Sequence, residues 1–281
     1  WYLDAVCGTE NWRVALYEEG GQVIAALPYY LKKKWGRHYV TMPMLTPYLG
    51  ILGPYPAVGM KSTSLRAREV RAYEELLEQL PQTPFVTMHC HPLLKNGLPM
   101  AWNGYLVITR YTYRLDLKAG EKEIWTGLEA EQRNRIRKAS RLRLKSIDQP
   151  TVFYDLNKQS FDRKEKRVPY SRDWFLKLDT VLSTKSCRKI FVAEDSGGEI
   201  LAANYTVFDS AAAYCIGIGQ NRADGTAGAN AWLLWEVIKY YRDQGIDEFD
   251  FEGGNIRSIE RFFRSFGGRL TPYFRLVKRP S

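Results

Sequence analysis

The sequence predicts an α+β (mixed α/β) chain in two parts, each a mixed sheet flanked by helices. Three observations carry that expectation. Lys189–Ala193, Glu199–Phe208 and Ala211–Gly219 read as three successive antiparallel strands, with Gly197-Gly198 and Asp209-Ser210 at the turns. Gly228–Gln244 reads as a long amphipathic helix carrying Trp232, Leu233, Trp235, Val237 and Ile238. The polar stretch Lys118–Glu123 separates the two parts, which are expected as residues 1–117 and 118–281. A chain of 281 residues fits two domains at roughly 100–200 residues each.

The elements follow in order. Trp12–Glu18 alternates in the manner of a strand, and Gln22–Lys33 is a second. Glu19-Gly20-Gly21 between them makes a hairpin turn. Lys32-Lys33-Lys34 and Trp35-Gly36-Arg37 form a basic loop, and Arg37–Met42 is a third strand. Pro and Gly between Thr46 and Pro56 break any regular element. Ser62 or Ser64 caps a helix running to about Leu80. Phe85–His89 is a short strand and Tyr105–Leu117 a long one. Beyond the break, Trp125–Leu144 reads as one helix, very basic in its second half, with Phe153–Arg163 and Trp174–Thr184 as further helices. After the meander and its long helix come a strand at Glu248–Phe251, a helix at Ile256–Phe266 stopped by Gly267-Gly268, and a last strand at Leu270–Val277.

Hydrophobic residues at 45% and charged residues at 26% are the balance of a globular protein. That balance excludes a disordered chain, a collagen-like repeat and a disulfide-stapled miniprotein. No window approaches ~20 uninterrupted apolar residues, so no transmembrane helix is expected. The chain starts at Trp1, so a preceding segment is expected to be missing. Cys7, Cys90, Cys187 and Cys215 are scattered, and are expected as reduced thiols of a cytoplasmic protein. A net charge of +10 beside 38 aromatic side chains suggests an anionic partner: nucleic acid, a nucleotide phosphate, coenzyme A or a membrane surface.

Four segments carry candidate chemistry. In Glu131–Arg141, Arg133, Arg137 and Arg141 recur every four residues and share one face of a helix. Such a face either binds phosphate or carboxylate bidentately, or is a solvated face with acidic partners. In Arg222–Asn230, small residues before a helix let backbone N–H groups approach an oxyanion. Arg222, Gly225 and Ala227 fit the Arg/Gln-x-x-Gly-x-Gly/Ala pattern of a pyrophosphate loop, and an ordinary strand-to-helix turn fits as well. Asp250 and Glu252 end a strand beside Gly253-Gly254 and project from one face, where a carboxylate can orient or deprotonate an amine. Their structural alternative is pairing with Arg257, Arg261 or Arg264. His89-Cys90-His91 offers two metal ligands at most, with His38 the one further histidine, so no metal site is expected.

Together these residues resemble the FemAB/FemX-like branch of the GNAT (GCN5-related N-acetyltransferase) superfamily. The resemblance rests on Trp125, Leu128 and Gln132-Arg133-Asn134-Arg135-Ile136-Arg137-Lys138-Ala139, then Phe161-Asp162-Arg163-Lys164. It continues through Gly228-Ala229-Asn230-Ala231-Trp232, Phe249-Asp250-Phe251-Glu252-Gly253 and Ile259-Glu260-Arg261-Phe262-Phe263-Arg264-Ser265-Phe266-Gly267-Gly268. It implies tandem GNAT-like domains, the first degenerate and the second an acyltransferase. It implies transfer of an acyl or aminoacyl group to an amine in cell-wall or envelope metabolism. No metal or tightly bound cofactor is implied, and acyl-CoA or aminoacyl-tRNA would be the donor. Arg133, Arg137 and Arg163 would anchor substrate, with Lys32 and Tyr29 approaching from the first domain. Arg222, Gly225, Thr226, Ala227, Gly228 and Asn230 would border the donor, and Glu252 and Asp250 the transfer centre. Partners would be small or nucleotide-linked anions, with tRNA and a peripheral membrane surface as further candidates. The long heptad segment of tRNA-dependent members is absent from this sequence. The rival expectation is a non-catalytic GNAT scaffold binding RNA or a nucleotide-linked ligand.

Overall fold

The computed structural model describes residues 1–53, 61–221 and 228–279. In chain order these form α1 (Tyr2–Cys7), β1 (Trp12–Glu19), β2 (Gln22–Lys34), β3 (Arg37–Thr41), α2 (Ser62–Glu78), β4 (Val86–His89), α3 (Leu98–Trp102) and β5 (Leu106–Asp116). There follow α4 (Glu121–Gly127), α5 (Ala130–Lys138), β6 (Arg143–Ile147), α6 (Pro150–Asp162), α7 (Arg172–Thr184), β7 (Arg188–Glu194), β8 (Ile200–Phe208) and β9 (Ala212–Gln220). The last are α8 (Ala229–Asp243), β10 (Glu248–Asp250), α9 (Arg257–Arg264) and β11 (Arg269–Lys278). The class is the α+β one expected. The chain divides into one compact unit of Trp1–Tyr111 with the residues from Pro272 onward, and a second of Thr112–Thr271. It therefore changes unit inside β5 and again inside β11, not in the polar stretch at Lys118–Glu123. The last strand returns because Arg275–Lys278 ladder onto β4.

In the first unit the strand order is β1-β2-β3-β4-β11-β5. Gly20 and Gly21, at φ +57° and +77°, close the β1–β2 hairpin as a two-residue loop, which only residues tolerant of positive φ allow. The core lies between this sheet and α2, where Ala72, Tyr73, Leu76 and Leu77 meet Leu27, Val40, Val86, Met88 and Leu276. The expected serine cap is not formed. The cap position is Lys61, without a side-chain bond, because Ser62 and Ser64 already stand inside the helix. Burial of one face, not capping, fixes this helix.

In the second unit β5, β10, β9, β8, β7 and β6 lie side by side, antiparallel except for β9 and β10. α8 buries Trp232, Leu233, Leu234, Val237, Ile238 and Tyr241 in a core shared with Phe249, Phe251 and Phe266. The single helix expected over Trp125–Leu144 is three elements. Leu128 and Glu129 are extended, and the Glu129 amide donates to the Ser265 carbonyl at 2.9 Å. Leu128 is buried, so docking this corner against the end of α9 outweighs helix continuation. The basic tail becomes β6, an edge strand whose Arg143 and Lys145 face solvent, a common protection against edge pairing. All four cysteines are free. Among the described residues no helix is long and apolar enough to cross a membrane.

Candidate active site

The second unit opens where β9 and β10 part. The two run parallel from Glu248↔Ala212 to Asp250↔Tyr214, and there β10 ends. β9 continues to Gln220, paired with β8 alone among the described residues. A bulge at Ile216 shifts the β8–β9 register between Tyr205 and Thr206 and bends the strand. Divergence of parallel strands at their carboxyl ends leaves a crevice along β9.

Glu252 stands at the mouth of this divergence. It takes φ +55°, a left-handed conformation uncommon for a side-chain-bearing residue. Its amide donates to Asp250 Oδ1 at 2.9 Å, which holds the turn. Its own Oε1 is buried with no hydrogen-bond partner. Burial first, and then the charge of Asp250, raise its carboxyl well above the ordinary carboxylate range, against the opposing pull of Arg114. The Cys215 thiol, also near, is pushed up to about 12 by burial and is no nucleophile.

Asp250 has a different environment. It is fully buried, and its carboxylate accepts from Thr112 Oγ1 at 2.6 Å and from Arg114 Nε at 2.7 Å. The expected structural partners Arg257, Arg261 and Arg264 are not the ones it uses. Asp250 thus positions the strand end, while Glu252 keeps an uncommitted oxygen. The two do not project alike from one strand face, because Glu252 lies beyond the strand.

At the end of β9, the Asn230 Nδ2 group donates to Gln220 Oε1 at 2.7 Å, and Arg163 donates to the Gln220 carbonyl at 2.9 Å. Asn230 Oδ1 is buried without a partner. Gly228 caps α8 at φ +88°, and among the described residues no side chain bonds the first turn of this 15-residue helix, an end that suits an oxyanion. A Cβ there would lie 2.8 Å from the Arg135 carbonyl oxygen, so α8 begins in backbone contact with α5. Arg222, Gly225, Thr226 and Ala227 lie outside the described residues. Arg163, expected as a substrate anchor, thus meets Asn230, expected at the donor, through Gln220, which the sequence reading does not single out.

The arginine face is shorter than expected. Arg133 and Arg137 lie on α5, but the helix ends at Lys138 and Arg141 is past it. Arg133 donates to the carbonyls of Thr126 and Leu128, clamping the α4–α5 corner. Arg137 is exposed, with its guanidinium 5.5 Å from the Trp125 ring centre. In the first unit Tyr29 packs partly buried against the core, whereas Lys32 is exposed opposite Tyr39. Three apart on one strand, they point to opposite faces. Thr112 and Arg114, which organise Asp250, were not singled out in the sequence. The alternation Arg110, Thr112, Arg114 in an otherwise apolar strand is the pattern that marks them. Among the described residues no three His, Cys, Asp or Glu side chains gather to hold a metal ion.

Residues 130–264 match the sequence family described as the acetyltransferase (GNAT) domain. No curated protein matches the chain. Among solved structures, FemX superposes with a TM-score of 0.67 at 12% identity, covering 97% of this chain and 90% of that one. The C-terminal domain of a putative lysylphosphatidylglycerol synthetase from Agrobacterium fabrum gives 0.58 at 13% identity, over 100% of this chain and 88% of that one. A tandem GNAT protein from the clavulanic acid biosynthesis pathway gives 0.54 at 14% identity, over 96% and 85%. Residues 130–264 thus match the acetyltransferase (GNAT) domain family, and the chain as a whole shares its fold with FemX and with the tandem GNAT protein.

Proposed function

We propose that this protein is a cytoplasmic N-acyltransferase that moves an acyl or aminoacyl group onto an amine of a cell-envelope precursor. The observation that carries this reading is the unpartnered, buried carboxyl oxygen of Glu252 at the point where β9 and β10 part. A carboxyl whose pKa is raised by burial can exchange a proton with an incoming ammonium, and the ammonium charge would draw that pKa back down. The freed amine attacks the acyl carbonyl. A C–N bond forms, the C–S bond of a thioester or the C–O bond of an aminoacyl ester breaks, and the amine proton passes through Glu252 toward the leaving group. Backbone N–H groups of β9 along that crevice would meet the developing oxyanion. The first turn of α8, with Asn230, and the Arg163–Gln220 pair would hold the phosphates of acyl-CoA or of an aminoacyl-tRNA end. Arg137 would meet an acceptor phosphate. The structural likeness to FemX and to a putative lysylphosphatidylglycerol synthetase supports an envelope setting.

The test is transfer itself. The protein is incubated with acetyl-CoA, and separately with aminoacyl-tRNA, against amine acceptors that include a UDP-linked muropeptide, and products are read by mass spectrometry. Glu252→Gln is expected to lower turnover by about 10²–10⁴-fold with donor binding retained. Binding of RNA without transfer from either donor would replace this reading with that of a non-catalytic scaffold.

A further inference from the structure

The first unit carries a polar sheet face that the transfer reaction does not use. Val86, Met88 and Leu276 point into the core, and Val107 and Phe274 pack against it on either side of Gly97. By the two-residue alternation of strands, Thr87 and His89 of β4, Tyr273 and Arg275 of β11 and Arg110 of β5 occupy the opposite face. The register confirms the juxtaposition, with Arg275 directly across from His89 and Val277 across from Thr87. β11 lies between β4 and β5, and the charges of both Arg275 and Arg110 act on His89.

Two guanidinium groups thus share one face without a carboxylate. No ion pair among the described residues includes Arg110 or Arg275, and the undescribed residues of this unit contain no Asp or Glu. Arg275 Nε reaches only the Thr87 hydroxyl, at 3.2 Å. Arg110 Nε is buried with no hydrogen-bond partner. A buried, unpaired guanidinium donor is a costly arrangement, and a bound oxyanion relieves it. Aromatic edges border the two: Tyr273 lies 5.7 Å from His89 and 5.3 Å from Tyr48, and Tyr48 lies 5.2 Å from His91.

We propose that Arg110 and Arg275 form an oxyanion site on the first unit, and that its ligand is a phosphate group. A carboxylate presents one two-oxygen edge to a guanidinium fork, whereas a phosphate can present a separate edge to each of the two. The aromatic rim suits a phosphate carried on an organic group. His89 supplies a local reporter. Its imidazole bonds the Pro47 carbonyl, and burial with the charges of Arg275 and Arg110 draws its pKa down to about 4. A phosphate between those arginines offsets their charge and moves the His89 titration upward.

The experiment titrates the full chain with inorganic pyrophosphate, and in parallel with succinate, and follows the imidazole signals of the three histidines by NMR. The expected result is a saturable change in the His89 signal with pyrophosphate, and an affinity at least tenfold weaker for succinate. Arg110→Ala and Arg275→Ala should each weaken the pyrophosphate effect tenfold or more. Arg110→Lys, which keeps the charge without the fork, guards against a folding defect and should also weaken it. Pyrophosphate binding that leaves His89 unmoved, or that survives all three substitutions, overturns the proposal. Preferential binding of succinate overturns the assignment to phosphate. Because no donor or acceptor is present, the result is independent of the transfer reaction.

Discussion

Arg114 on β5 grips the fully buried carboxylate of Asp250 on β10, with Nε 2.7 Å from Oδ2 across directly opposed positions of the two strands. The same guanidinium reaches Glu248 Oε1 at 2.5 Å. Asp250 spends its remaining capacity on Thr112 and on the Glu252 amide, so one ion pair sets the turn that aims Glu252. Arg114→Met removes the buried cation that faces the carboxylates of Asp250 and Glu248. The expected loss is about 3–5 kcal/mol, read by urea unfolding. Arg114→Met combined with Asp250→Leu should recover much of it, since the uncompensated charge is then gone.

Glu252 makes stability depend on pH in a direction opposite to most carboxylates. Its folded pKa is raised, so the folded protein holds a proton that the unfolded chain releases near the ordinary glutamate value of about 4.3. Its contribution is complete below that value and is lost as pH rises through the folded pKa. Glu252→Gln should therefore raise the melting temperature relative to the parent at pH 8, with the advantage vanishing near pH 4. Melting curves across that range check this, and a constant offset at all pH values would refute it.

The hairpin, the meander and the α8 core were legible because two-residue and 3.6-residue periodicities survive wherever one face is buried. The strand ending in Asp250 was legible for the same reason. The break at Leu128 was not, because the sequence there keeps a helical composition and the deciding contact, Glu129 to Ser265, spans more than 130 residues. β6 hid inside a basic run whose charges are those of an edge strand. The pairing of Arg114 carries no sequence signal because its partner lies in a distant strand, and the carbonyls that Arg133 clamps are likewise invisible in the sequence. Glu252 was legible as a residue. Its left-handed turn and its orphaned oxygen belong to the fold.

Arg133 and Arg137, one helical turn apart, should therefore separate on mutation. Arg133 donates to two carbonyls that the end of α4 leaves unsatisfied, so Arg133→Ala should cost about 1.5–3 kcal/mol, the range for bonds to a charged donor. Arg137 is exposed beside the Trp125 ring and should cost under about 1 kcal/mol when changed to alanine. Its loss should appear in acceptor affinity instead. Chemical unfolding and KM of both variants check this, and equal destabilisation would remove Arg137 from the proposed site.

Gly219 tests how the crevice wall is built. A Cβ there would stand 2.5 Å from the Asn157 amide nitrogen and 2.6 Å from the Leu156 carbonyl carbon, both backbone atoms of α6. No rotamer change relieves a backbone clash, so Gly219→Ala must push α6 away from β9. Overpacking of this kind costs about 1–3 kcal/mol, and here the upper end is expected because neither partner can yield. The displaced helix carries Arg163 at its end, so the bond to Gln220 lengthens and donor affinity falls with stability. Gly127→Ala is the matched control. Its Cβ meets nothing within 4 Å, and in a helix alanine is favoured by about 1 kcal/mol. Thermal unfolding of the two variants should move in opposite directions, and a neutral Gly219→Ala would show that α6 yields without loss of its packing on β9.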